Sequence, residues 1–160
     1  MAIQTLAFTA PIPNEAWEDK HPLVQFYAAY IDDFRHRYHS TPFDRYYAAD
    51  CKTYQVDNTI LEGGKALWDS THTDLYGMFP QVERELQSLI YCFDVEPGRH
   101  EIHIKSITGL HTKSKRFDVP QAFTYGVGEA DDGKGTHGLQ FRSLRCYYDR
   151  SLIEKAKRAL

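Results

Sequence analysis

The chain has 160 residues, 42% hydrophobic and 14% aromatic, enough for one domain with its own core, short for two, and too apolar for a disordered segment. Its net charge of −3, from 19 basic and 22 acidic residues, offers no electrostatic footprint for DNA or RNA. Three widely spaced cysteines, Cys51, Cys92 and Cys146, form no CxxC pair, so neither a zinc site nor a disulfide framework is indicated, and a cytoplasmic protein is expected.

Residues 1–19 contain Ile3, Leu6, Phe8, Ile12 and Trp17 but no Lys or Arg, which is unlike the basic start of a secretory signal. With Pro11 and Pro13 inside it, this arm reads as an extended segment laid over the domain or over a partner subunit. The single domain is expected over residues 20–150. It opens with a helix from Lys20 to His39, because Leu23, Phe26, Tyr27, Tyr30, Ile31, Phe34 and Tyr38 recur at threes and fours and Pro22 fits the first turn. Thr41-Pro42-Phe43-Asp44 has the pattern of a second, short helix start with Thr41 as cap.

Cys51 to Val56 is rich in β-formers, Asp57-Asn58 suits a reversal, and Thr59-Ile60-Leu61 returns as the second strand of a hairpin. After Gly63-Gly64, Ala66, Leu67, Thr71, Leu75 and Met78 recur at helical spacing until Pro80 stops the run. Four strands follow, over residues 82–95, 100–111, 120–127 and 139–148. Glu96-Pro97-Gly98 marks one turn, the basic run from His111 to Arg116 reads as a solvated hairpin loop, and residues 128–138 form a polar, glycine-rich loop. Ser151-Leu152-Ile153-Glu154 has the spacing of a capping box, so residues 151–160 are expected to form a short helix or tail. No stretch is long and apolar enough to span a membrane as a helix.

Three segments, Val24-Gln25-Phe26-Tyr27, Tyr46-Tyr47-Ala48-Ala49-Asp50 and Glu62-Gly63-Gly64-Lys65-Ala66-Leu67, stand in an order of helix, short helix, hairpin, glycine and third helix. That order resembles the NTF2-like superfamily, and within it the SnoaL-like, ketosteroid-isomerase-like and scytalone-dehydratase-like domains. The resemblance implies an α+β cone: a strongly curved mixed or antiparallel sheet wrapped around a long N-terminal helix and two further helices, enclosing a pocket. It also implies a hydrophobic small-molecule ligand, no cofactor, and a homodimer formed through the outer sheet face. The 11 tyrosines suit such a pocket, since each has an apolar body and one polar tip, although each ring taken singly is as well explained by core packing.

Reactions typical of such cavities need a base beside a carbonyl and donors for the developing oxyanion. Tyr27 falls where the ketosteroid-isomerase family has its donor tyrosine. The family's aspartate base falls at Gln55 and its protonated acid near Ala122-Phe123, so that mechanism does not carry over. Another base is required. His72 on the third helix is the first candidate, with Thr71 facing the cavity instead if the register differs by one. His111, which shares a strand face with His103, comes next, and Asp94 follows if its apolar strand buries it. Ordinary structural or surface roles compete for each. Tyr30, Tyr47, Gln55, Trp68, Phe123 and Tyr125 are the expected substrate contacts, and no metal ligand set stands out. Two readings stay open: a cofactor-free cyclase, isomerase or dehydratase acting on a polyketide, terpenoid or aromatic substrate, and a non-catalytic ligand-binding or protein-interaction module.

Overall fold

The computed structural model describes residues 3–160. Seven strands form one curved, unclosed sheet in the order β1-β4-β5-β6-β7-β2-β3, where β1 is Gln4–Thr9, β2 Tyr47–Tyr54, β3 Ile60–Glu62, β4 Gln81–Glu96, β5 Arg99–His111, β6 Arg116–Glu129 and β7 Leu139–Tyr148. All neighbours run antiparallel except β2 and β7, which are parallel. Four helices complete the α+β architecture: α1 Glu15–Glu18, α2 Pro22–His36, α3 Gly64–Thr71 and α4 Arg150–Lys157. Among the described residues no helix is long and apolar enough to cross a membrane.

The long helix α2 lies in the concavity of the sheet because its apolar stripe is wide and aromatic. Phe26, Tyr27, Tyr30 and Phe34 are all buried. Edge-to-face packing locks them onto the sheet: the Phe26 and Tyr30 rings each stand 4.9 Å from that of Phe141 on β7, which lies 4.6 Å from Tyr125 on β6. At its start the cap is a histidine, His21, whose Nδ1 accepts from the Leu23 amide at 3.1 Å. At its end the Asp33 carboxylate is buried and accepts from Tyr46 Oη at 2.6 Å and Arg37 Nε at 2.7 Å, with Arg45 Nε 3.2 Å away.

Strand β4 determines what faces the concavity. Leu89, Tyr91 and Phe93 alternate inward, yet so do Arg84 and Leu86, because the pairing with β5 slips between Leu86 and Ser88. This bulge inserts one residue, reverses the parity of the strand and adds local bend. On β5 every even position from His100 to Leu110 is buried. A second slip, between Gly126 and Val127 against β7, lets Phe141 and Leu144 both point inward.

Several expectations are corrected. The arm at residues 4–9 is a sheet strand: Gln4 pairs with Phe93 and Thr9 with Ser88. Thr41 does not cap a helix; its hydroxyl donates to the Arg37 carbonyl at 2.8 Å, and only a single 3₁₀ turn, Phe43–Arg45, fits before β2 begins at Tyr47. The cap of α4 is Asp149, which accepts from the Ser151 amide at 2.9 Å, rather than Ser151 itself. Strand β6 starts at Arg116 instead of residue 120, since Pro120 lies beyond the end of β7, where the missing donor breaks no ladder. The helical run expected up to Pro80 is regular only to Thr71 and continues as a wider turn over His72–Tyr76, closed by the Gly77 amide donating to the His72 carbonyl at 2.7 Å.

Helix α3 sits against β2 at Gly64, where a Cβ would come 2.3 Å from the Ala48 carbonyl oxygen and 2.7 Å from Tyr47 Cβ. Gly64→Ala therefore forces α3 off the sheet. A stability loss of about 1–3 kcal/mol is expected in urea unfolding, and an unchanged midpoint would contradict this close packing.

Candidate functional site

Between the later turns of α2, helix α3 and the concave sheet lies a cavity of about 350 Å³, with α4 at its mouth. Its aromatic wall is built from Tyr30 and Phe34 one turn apart on α2, Tyr47 on β2, and Phe123 and Tyr125 on β6. Leu61, Leu67, Leu75, Leu144 and Ile153 supply aliphatic wall. At the mouth stand Ser70, Thr71 and Asp74 from α3 and the turn that follows it, with Arg150, Glu154 and Lys157 from α4.

The polar groups inside are donors. Tyr30 and Tyr47 place their hydroxyl oxygens 2.9 Å apart, and burial, with smaller contributions from neighbouring tyrosines, raises both pKa values well above 10.0. Tyr125 is raised for the same first reason. These phenols remain protonated at neutral pH, so they donate hydrogen bonds and do not act as bases. Gln121 accepts through Oε1 from the Thr108 hydroxyl at 2.6 Å, and its amide donors have no partner among the described residues. The Thr53 hydroxyl is buried with no hydrogen bond.

Arg84 is the unusual member. Its Nε is buried without a hydrogen-bond partner, and no carboxylate pairs with the guanidinium among the described residues. Its carbon Cζ lies 5.0 Å from the ring centre of Phe34 and 5.2 Å from that of Phe123. Burial opposes the charge, but an arginine is not deprotonated at neutral pH, so the cation persists. Two cation–π contacts return about 0.5–2 kcal/mol each, against several kcal/mol for burying an unpaired ion. The wall is thus donor-rich, with one undercompensated positive charge.

Of the expected substrate contacts, Tyr30, Tyr47, Gln55, Phe123 and Tyr125 line this cavity. Trp68 does not. It is packed under Tyr38, whose ring stacks 4.3 Å away and whose hydroxyl donates to the Trp68 carbonyl at 2.6 Å. None of the four expected catalytic residues is on the wall. Tyr27 is fully buried one turn before Tyr30, its ring 6.1 Å from Tyr125 and 6.2 Å from Tyr91. His72 stacks on Tyr38 at 5.6 Å and meets His39 edge-on at 4.6 Å, while its neighbour Thr71 takes the wall position. His111 is on the outer face of β5, 3.2 Å from a Glu83 oxygen, and His103 shares that face, held by Glu101 and Thr124. Asp94 is exposed rather than buried: it occupies the left-handed backbone region, φ 46°, where β4 breaks register before the turn, and its side chain is 66% exposed.

Sequence reasoning missed Arg84, Gln121 and Thr53. Arg84 was detectable in principle, since the step of three from Leu86 to Leu89, in a strand that otherwise alternates, is the mark of a bulge that turns residue 84 inward. No group of three or more His, Cys, Asp and Glu side chains able to hold a metal ion occurs among the described residues.

The buried phenols couple stability to alkaline pH. Their folded pKa values lie above the unfolded value near 10, so their contribution is complete below pH 10 and is lost as the pH rises beyond it. Phenolate absorbance should therefore rise in two phases, the later one coincident with loss of circular dichroism. Ionisation of all the tyrosines with the fold intact would contradict the burial.

No family model and no curated protein sequence matches this chain. Solved structures do. An NTF2-like protein of unknown function in nutrient uptake from Rhodospirillum rubrum superposes with a TM-score of 0.58 at 10% identity, covering 79% of this chain and 98% of the other. An LEH-like epoxide hydrolase from M. tuberculosis gives 0.54 at 14% identity, over 86% and 91%. A CaMKII hub from S. rosetta gives 0.59 at 5% identity, over 80% and 95%. At such identities the likeness concerns the backbone, and it agrees with the curved sheet, the enclosed long helix and the cavity: the chain has the NTF2-like fold.

Proposed function

We propose that this protein binds a hydrophobic cyclic small molecule in the cavity between α2, α3 and the sheet. The observation that carries the reading is an aromatic-walled space of about 350 Å³ lined by Arg84 and Thr53, whose buried Nε and hydroxyl have no hydrogen-bond partner among the described residues. A cavity whose polar groups were meant only for folding would have them paired. Its size and mixed lining are those of small-ligand sites.

A catalytic version of this reading, a cofactor-free cyclase, isomerase or dehydratase, has support from the donors, which suit an oxyanion. It also needs a proton acceptor. Two wall residues are carboxylates, and Glu154 is engaged with Lys157 at 3.4 Å. Asp74, which among the described residues accepts only from the Ser70 hydroxyl at 3.2 Å, is the group left for that role. That one of the fold neighbours is an epoxide hydrolase is consistent with catalysis, and that another is a hub is equally consistent with assembly. Binding is therefore the primary reading.

The reading includes a homodimer through the outer sheet face. Support comes from Tyr147, 56% exposed there, beside a groove formed by Tyr54, Thr124 and Arg145. Light scattering on the eluting protein is expected to give twice the mass of the 18.5 kDa chain, and a monomer would remove this part.

The ligand reading is tested by thermal shift against polyphenols, polycyclic ketones, terpenoids and aromatic acids. A ligand at a hundred times its dissociation constant should add about 2.7 kcal/mol. Thr71→Phe, which adds bulk at the half-buried wall end of α3, should abolish the shift in a protein that still unfolds cooperatively. A shift that survives Thr71→Phe unchanged would place binding elsewhere.

A further inference from the structure

Three cations reach the cavity wall, and two have acidic partners. Arg150 Nη1 lies 3.1 Å from Asp57 Oδ2, and Lys157 Nζ lies 3.4 Å from Glu154 Oε1. Both stand at the mouth. Arg84, deeper on β4, has no acidic partner among the described residues, whereas Arg116 contacts Glu83, Glu85 and Asp118, and Arg145 on β7, also without a carboxylate, is exposed and lies over the Tyr54 ring at 4.5 Å. Of the sheet arginines without a carboxylate, Arg84 is the one on the cavity wall with its Nε buried.

Its surroundings point the same way. Phe34 and Phe123 flank the guanidinium on the cavity wall, its Nε is buried without an acceptor, and no side chain or backbone carbonyl accepts from its Nη groups among the described residues. Thr108, the partner of Arg84 across β4 and β5, donates to Gln121 Oε1, so the neighbouring amide presents donors as well. Tyr30, Tyr47 and Tyr125 add hydroxyls. A fork of guanidinium donors, with further donors around it and no carboxylate paired to it, is complementary to a planar, acceptor-only group.

We propose that the ligand of this cavity is a cyclic or aromatic carboxylic acid whose carboxylate pairs with Arg84 while its ring lies against Phe34 and Phe123. The inference rests on the cavity being a small-molecule site and adds the ligand's charge. Arg84 is then a ligand-binding residue kept at the expense of the empty protein, because a lone buried cation is better tolerated as a neutral side chain.

The test compares benzoic, naphthoic and cyclohexanecarboxylic acids with their primary amides, by isothermal titration at neutral pH. At least one acid should bind wild type about tenfold or more tighter than its amide, as expected for a charge-assisted contact. Arg84→Gln should remove that preference without weakening the amide, and Arg84→Lys should keep part of it. Ligand-free Arg84→Gln should melt at or above the wild-type temperature. A large drop in its melting temperature would assign Arg84 to the fold and overturn the proposal. Equal binding of acid and amide would overturn it and leave the cavity reading standing. If neither the acids nor the neutral members of the thermal-shift panel bind, both fall together.

Discussion

A sheet bent as strongly as this one cannot cover its own concave face, and the seating of α2 in that hollow is the constraint on which the rest depends. The helix is well matched at its first half. Phe26 and Tyr27 fill the narrow end against Phe141, Tyr91 and Tyr125, with no exposed surface left. From Tyr30 to Phe34 the sheet diverges from the helix, and the side chains there have a partner on one side and open space on the other. Helix α3, held close to β2 by Gly64, and the short α4 enclose that space but do not fill it. The cavity follows from the mismatch between a straight helix and a curved sheet.

The polar content of the cavity is set by one irregularity. Without the bulge in β4, regular alternation from Leu89 would turn Arg84 to the outer face and bring Glu83 and Glu85, which now hold Arg116 outside, to the inner one. With it, a guanidinium enters an aromatic chamber that offers ring faces and hydroxyls in place of a carboxylate. Such an arrangement is costly for the empty protein, and proteins tolerate local conflicts of this kind mainly at functional sites. The Asp33 cluster makes the contrast clear, because there a buried charge is met by Arg37, Arg45 and Tyr46 at hydrogen-bond distance.

Much of the fold was legible in the sequence. The aromatic stripe from Leu23 to Phe34, the Asp57-Asn58 reversal and the strands expected over 82–95, 100–111 and 139–148 appear close to where periodicity and turn chemistry put them, while the strand expected over 120–127 extends back to Arg116. The site was legible on its apolar side, since Tyr30, Tyr47, Phe123 and Tyr125 reach the wall. Its polar side was not. Choosing His72 over Thr71 needed a helix register finer than a pattern of apolar residues supplies. The placements of His111 and Asp94 depended on strand parity and on a turn, and Arg84 on a bulge, each of which one residue of slip reverses. The β-strand character of Gln4–Thr9 was hidden because its pairing partner, β4, lies some eighty residues away.

The account turns on a charged, half-buried Arg84 whose Nε is buried and unpaired, and the most direct measurement is nuclear magnetic resonance of its side-chain Nε–H, assigned by its absence in Arg84→Lys. Burial predicts a single arginine Nε–H exchanging with solvent far more slowly than those of the surface arginines and shifting when an aromatic acid is added. An Arg84 signal that exchanges as fast as the rest would mean that the side chain lies in water, and the cavity described here would lose the charge on which its preference for an acid rests.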